Sequence, residues 1–119
     1  MAKLGSLKLT GRSGRTLEFE IHPRGDAFKP LAAVYFLAKR IPFAEGEAEY
    51  TWIFVGETSD LSKRPFDDAH KPCIDAHEAN CICLHLEDDA NARTAAVADL
   101  RQAYSPPCNE PVIAAQGRP

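Results

Sequence analysis

The sequence predicts a small α/β domain: a three-stranded sheet flanked by helices, with an extra β-hairpin at its N-terminal end. Three observations carry that prediction. Residues 7–21 alternate apolar and polar side chains about a glycine-containing turn, three later apolar segments are short enough to be strands, and one alanine-rich stretch ends at two prolines. The expected organisation is a hairpin extension over residues 1–31, the domain proper over 32–109 and a disordered tail over 110–119.

In the hairpin, residues 7–10 and 15–21 are the two arms, with Leu17, Phe19 and Ile21 on one face and Gly11, Arg12, Ser13 and Gly14 as the turn. Residues 23–30 form a loop. Residues 32–37 (AAVYFL) are a buried strand, residues 42–47 a polar connection, and residues 50–55 (YTWIFV) a second strand closed by Gly56. The link between these strands suits either a hairpin or a crossover. Residues 58–71 have helical composition but contain Pro65. The helix therefore starts near Pro65, or starts near Asp60 and is kinked. Residues 73–79 read as a helical turn. Residues 80–86 are the third strand, with Ile82, Leu84 and Leu86 on one face and Cys81, Cys83 and His85 on the other. The best helix runs from about Glu87 to Tyr104, with acidic residues at its start and Arg101 near its end. Ser105, Pro106 and Pro107 stop it.

The chain of 119 residues suits one domain, and its hydrophobic fraction of 45% is that of a globular protein. No signal peptide or membrane-spanning run is evident, so a soluble, cytoplasmic protein is expected. The oligomeric state is not legible. Fourteen basic against 17 acidic residues give a net charge of −3, which argues against a dedicated nucleic-acid binder. Any such role would need a local patch drawn from Arg12, Arg15, Lys39, Arg40, Lys63, Arg64 and Lys71. The four cysteines, with no export signal, are expected as reduced thiols.

Chemistry is suggested by three segments in a fixed order. Ala33-Val34-Tyr35 lies in one strand. Phe54-Val55-Gly56 closes the next and leads into Thr58, Leu61, Lys63 and Arg64, with His70 beyond. The final helix runs into Pro106-Pro107-Cys108-Asn109. Over residues 33–109 this resembles the GIY-YIG nuclease family. The resemblance implies phosphodiester hydrolysis in nucleic acid at a single divalent metal, Mg²⁺ in an active member. It implies that tyrosines position the attacking water, an arginine stabilises phosphate charge, a histidine sits near the nucleophile, a glutamate of the last helix binds the metal and an asparagine braces the site. Matched residue by residue, Tyr35, Arg64, His70 and Asn109 fall on the catalytic positions, and Phe54, Gly56 and Lys63 on the substrate side.

The departures bear on function. Ala33 stands in place of a glycine, and Phe54 in place of the second tyrosine, so that hydroxyl is absent. Val97 stands where the glutamate belongs, counted back from both Leu100 and Asn109, and valine cannot ligate a metal. The resemblance therefore implies no metal as the chain stands. It suggests an impaired nuclease-like domain that keeps nucleic-acid or partner binding. Two alternatives are an active endonuclease that recruits another ligand such as Glu57, and a purely structural or interaction module. A zinc site on Cys81, Cys83 and His85, with Cys73 or His77 as fourth ligand, is weighed and set aside. Those three are alternate residues of one strand, spaced about 7 Å apart.

Overall fold

The computed structural model describes residues 3–63 and 68–109. Strands β1 (Gly5–Thr10), β2 (Thr16–Pro23), β3 (Ala33–Ala44), β4 (Glu47–Thr58) and β5 (Cys81–Leu86) form one antiparallel sheet in the order β1-β2-β5-β3-β4. Helix α1 (Lys71–Ala76), preceded by a 3-10 turn at Asp68–His70, covers one face. Helix α2 (Ala90–Tyr104), followed by a 3-10 turn at Pro107–Asn109, covers the other. None of the described helices is long and apolar enough to cross a membrane.

The α/β class is as expected, but the sheet has five strands, not three. The N-terminal hairpin is not an appendage, because β2 pairs with β5 from Glu20↔Leu84 to Pro23↔Cys81. The hairpin is also fastened to α2. Asp99 accepts hydrogen bonds at 2.8 Å from both the backbone N–H and the hydroxyl of Ser13. The Thr10 N–H donates to the Tyr104 hydroxyl at 3.2 Å. The sheet thus curls about α2, which touches it from β1 to β4.

Strand alternation sorts the core into two layers. Val34, Phe36, Val55, Cys81 and Cys83 face α2 with Phe19 and Leu100. Tyr35, Leu37, Ile82 and Leu84 face α1 with Ile74 and Leu61. Because β3 and β4 pair antiparallel from Ala33↔Thr58 to Ala44↔Glu47, their link is a hairpin. The strands run through residues 42–44, expected as a loop, and turn at Gly46, whose φ of 78° suits glycine.

The segment after β4 departs from the expectation of a kinked helix starting near Asp60, and the alternative start near Pro65 falls outside the described residues. The Asp60 carboxylate accepts from the backbone N–H and the hydroxyl of Ser62, at 2.8 and 2.6 Å, and the Asp60 N–H donates to the Thr58 hydroxyl. These local bonds compete with a helix and make a turn instead. Residues 64–67, which include Arg64 and Pro65, lie outside the described residues, as does the expected tail at 110–119. Helix α2 begins as the acidic start suggests: Asp89 is its N-cap and accepts the Asn91 N–H at 2.9 Å.

Candidate functional site

Tyr35 and Gly56 are cross-strand partners on the α1 face. Tyr35 is 2% exposed, and its ring lies over the glycine: a Cβ added at Gly56 would stand 2.6 Å from the Tyr35 hydroxyl and 3.0 Å from the Phe54 ring. The glycine is thus required by the close approach of a neighbouring side chain. Phe54 is tilted against Tyr35 with centroids 6.1 Å apart, and the His70 ring lies 4.6 Å from Phe54. His70 ends the first 3-10 turn and is half-buried.

Asn109 reaches the same strand from its outer edge. Its Oδ1 accepts the Val55 N–H and its Nδ2 donates to the Val55 carbonyl, both at 2.8 Å. The amide thereby satisfies an edge residue as a neighbouring strand would. Arg101 of α2 donates to the Asn109 carbonyl at 3.3 Å, holding the turn against the helix. Five residues singled out from sequence, from separate stretches of chain, therefore gather at β4: Tyr35, Phe54, Gly56, His70 and Asn109. Lys63 is exposed on the turn after β4, its N–H donating to the Asp60 carbonyl at 3.2 Å. Arg64 belongs to the segment outside the described residues.

Val97 packs, half-buried, with the core under α2. It thus belongs to the layer opposite Tyr35. It shares a helix face with Arg93 and Arg101, one turn to either side. Arg93 is buried, donates to Glu57 Oε1 at 2.6 Å, and reaches the carbonyls of Glu87 and Asp88 at 3.0 and 2.9 Å. Glu57, the alternative metal ligand, is consequently held in an ion pair. Asp99, the nearest carboxylate to Val97 along the helix, is occupied by Ser13. Both carboxylates are thus already engaged within the chain.

Compared with family models, with curated proteins and with solved structures, the chain matches none.

Among the described residues, the basic side chains do not form one patch. Lys39 pairs with Glu78, Lys71 with Asp75 at 2.8 Å, and Arg40 donates to the Tyr50 hydroxyl at 3.2 Å. Arg12 and Arg15 sit at the distant hairpin turn. A groove of about 400 Å³, lined in part by Ser13, Arg15, Leu17, His85 and Glu87, lies on the α2 side and includes none of the residues gathered at Tyr35.

The cysteines correct the expectation of four reduced thiols: Cys73 and Cys108 form a disulfide that joins α1 to the turn bearing Asn109. Cys81 and Cys83 are free and buried. Packed against each other under α2, they titrate in opposite directions. The hydrogen bond from its neighbour lowers Cys81, while the same bond and burial raise Cys83. Cys73 and His77, weighed as fourth ligands for that row, stand with Cys108 on the opposite face of the sheet. Sequence reasoning missed this cluster. Its one local signal is the four-residue spacing of Cys73 and His77 on a helix.

Proposed function

We propose that the chain is a GIY-YIG nuclease-like domain that has lost phosphodiester hydrolysis and retains nucleic-acid binding along β4. The observation that carries the reading is the convergence of Tyr35, Gly56, Phe54, His70 and Asn109 on one strand. Loss of hydrolysis follows from chemistry. Phe54 has no hydroxyl to offer, Val97 has no oxygen, and Glu57 is engaged by Arg93. Binding would rest on phosphate contacts from Lys63 and Arg64, the latter through its planar fork.

A titration of fluorescent duplex and single-stranded DNA over a range of salt tests the binding. The expected result is an affinity that falls with salt, with Lys63→Ala and Arg64→Ala each reducing the slope by about one. A second reading, an interaction module that keeps only the fold, is favoured by the pairing of Lys39 and Lys71 with acidic neighbours. It predicts no salt-dependent DNA binding at all. Plasmid nicking that requires Mg²⁺ or Mn²⁺ and disappears in Arg64→Ala would instead establish an active endonuclease.

A further inference from the structure

Cys73, His77 and Cys108 bring three soft ligand atoms within 4.8 Å of one another. Two of them come from α1 and its end, at positions one turn apart, and the third from the 3-10 turn after α2. His77 Nδ1 lies 3.8 Å from the Cys73 sulfur and 3.6 Å from the Cys108 sulfur. Zinc bound to a thiolate at about 2.3 Å and to an imidazole at about 2.0 Å, at the tetrahedral angle, sets those two atoms about 3.5 Å apart. Both sulfur–nitrogen edges of a zinc tetrahedron are therefore already present to within a few tenths of an ångström.

We infer that, once the Cys73–Cys108 bond is reduced, Cys73, His77 and Cys108 bind one Zn²⁺ ion, with a solvent-facing fourth position. The inference does not depend on the nuclease-like reading. Disulfide and metal are alternative states of the same atoms, because a zinc ligand must be a thiolate. A trialkylphosphine attacks one sulfur, breaks the S–S bond and takes oxygen from water. It leaves as the phosphine oxide, and the water protons complete two thiols. Zn²⁺ then displaces both thiol protons to solvent and forms two S–Zn bonds.

His77 Nδ1 lies 3.0 Å from the Cys73 carbonyl oxygen, to which it donates in the oxidised state. To ligate, the neutral ring carries its proton on Nε2 instead, an exchange that the exposed position of His77 permits. Cys108 is buried and Cys73 half-buried, so the thiolates are shielded while the histidine side opens to water. Three protein ligands and one open position is the arrangement of a zinc site that can accept a further donor. In either state the same three residues tie α1 to the turn that carries Asn109, and so hold that asparagine against β4.

The test uses the full chain, reduced with a phosphine and desalted without oxygen, and titrated with Co²⁺ as the spectroscopic probe and then with Zn²⁺. The expected result is one Co²⁺ per chain, with thiolate charge-transfer absorption and the intense visible bands of a tetrahedral site, bleached by one equivalent of Zn²⁺. The oxidised protein binds none. His77→Ala, at an exposed position that leaves the fold intact, weakens binding at least about tenfold by removing one of three ligands. Cys108→Ser abolishes the spectrum, and Cys83→Ser leaves it unchanged. Should Cys108→Ser fail to fold, the His77→Ala titration still decides. The inference is overturned if the reduced chain takes up no stoichiometric metal, if the oxidised chain binds equally, if His77→Ala binds as tightly as the parent, or if Cys83→Ser abolishes the signal.

Discussion

Arg93 and Glu57 form an ion pair at 2.6 Å in which the arginine is buried and the glutamate partly exposed, 7% against 37% of the side chain. The pair binds α2 to the end of β4, and the same guanidinium also satisfies the carbonyls of Glu87 and Asp88 ahead of the helix. Arg93→Ala removes all three bonds and leaves two carbonyls short of a donor. The expected loss is about 2–3 kcal/mol in urea unfolding. Glu57→Gln keeps an acceptor for the arginine, and the exposed carboxylate is screened by water, so its loss stays below about 1 kcal/mol. Equal losses in the two variants would show that the arginine's contribution is the pair alone.

Gly56 is closed to side chains by the Tyr35 hydroxyl and the Phe54 ring. Gly56→Ala should cost about 1–3 kcal/mol by overpacking, because a tyrosine 2% exposed has little room to retreat. In the double variant with Tyr35→Phe, the atom nearest the new methyl is gone, so part of that loss should return. Additive losses in a double-mutant cycle would place the strain elsewhere.

Local pattern made the layers of the sheet legible. In β5, Ile82 and Leu84 face α1 while Cys81 and Cys83 face α2, the split that simple alternation requires. The place of the hairpin was not legible, because the β2–β5 pairing joins residues such as Glu20 and Leu84, far apart in sequence, through backbone groups every strand carries. The polar composition of residues 42–47 suggests a loop. Yet a ribbon exposed on both sides needs no apolar alternation, and Ile41 and Phe43 stay exposed in it. Around Asp60 the propensity for helix yields to side-chain bonds that only geometry decides. Of the candidate site, the grouping of Tyr35, Gly56 and Asn109 was expected through the resemblance alone, since the residues themselves left the link between β3 and β4 open. The Cys73–Cys108 bond could not be anticipated: compartment governs whether thiols oxidise, but a Cα separation of 5.7 Å between α1 and a turn beyond α2 is a property of the packing.

Asp75 ties α1 to the end of β2, accepting from Lys71 and from Arg24, both at 2.8 Å. Those two partners, Lys71 first, hold its carboxyl below the usual carboxylate range. A folded-state pKa that is depressed contributes stability above the unfolded value and loses it as pH falls through the folded one. Stability should therefore decline from about pH 4 downward. Asp75→Asn should shallow that acid limb in urea melts collected at stepped pH while leaving the neutral-pH slope as it is. An unchanged acid limb would mean that the solvated pair contributes nothing measurable.

Position 97 separates a disabled nuclease from a fold that never held a metal there. Arg93 and Arg101 flank it on one helix face and reach Glu57 and Asn109, so a side chain at 97 runs beside β4 between those two contacts. Val97→Glu would set a carboxylate there at the cost of apolar packing under α2, about 1–2 kcal/mol. Phe54→Tyr adds a hydroxyl on a ring already packed against both Tyr35 and His70. If the nuclease-like reading is correct, the parent chain shows no Mg²⁺- or Mn²⁺-dependent nicking. The double variant should show it at roughly a hundredfold above background or more, the scale of one electrostatic contribution to catalysis. Each single variant should fall well short of its share, because groups serving one transition state do not add. A double variant that melts cooperatively, binds DNA as the parent does and still leaves plasmid intact would mean that the opposite-layer position of Val97 keeps its carboxylate from the phosphate. In that case the likeness to the nuclease family ends at the fold.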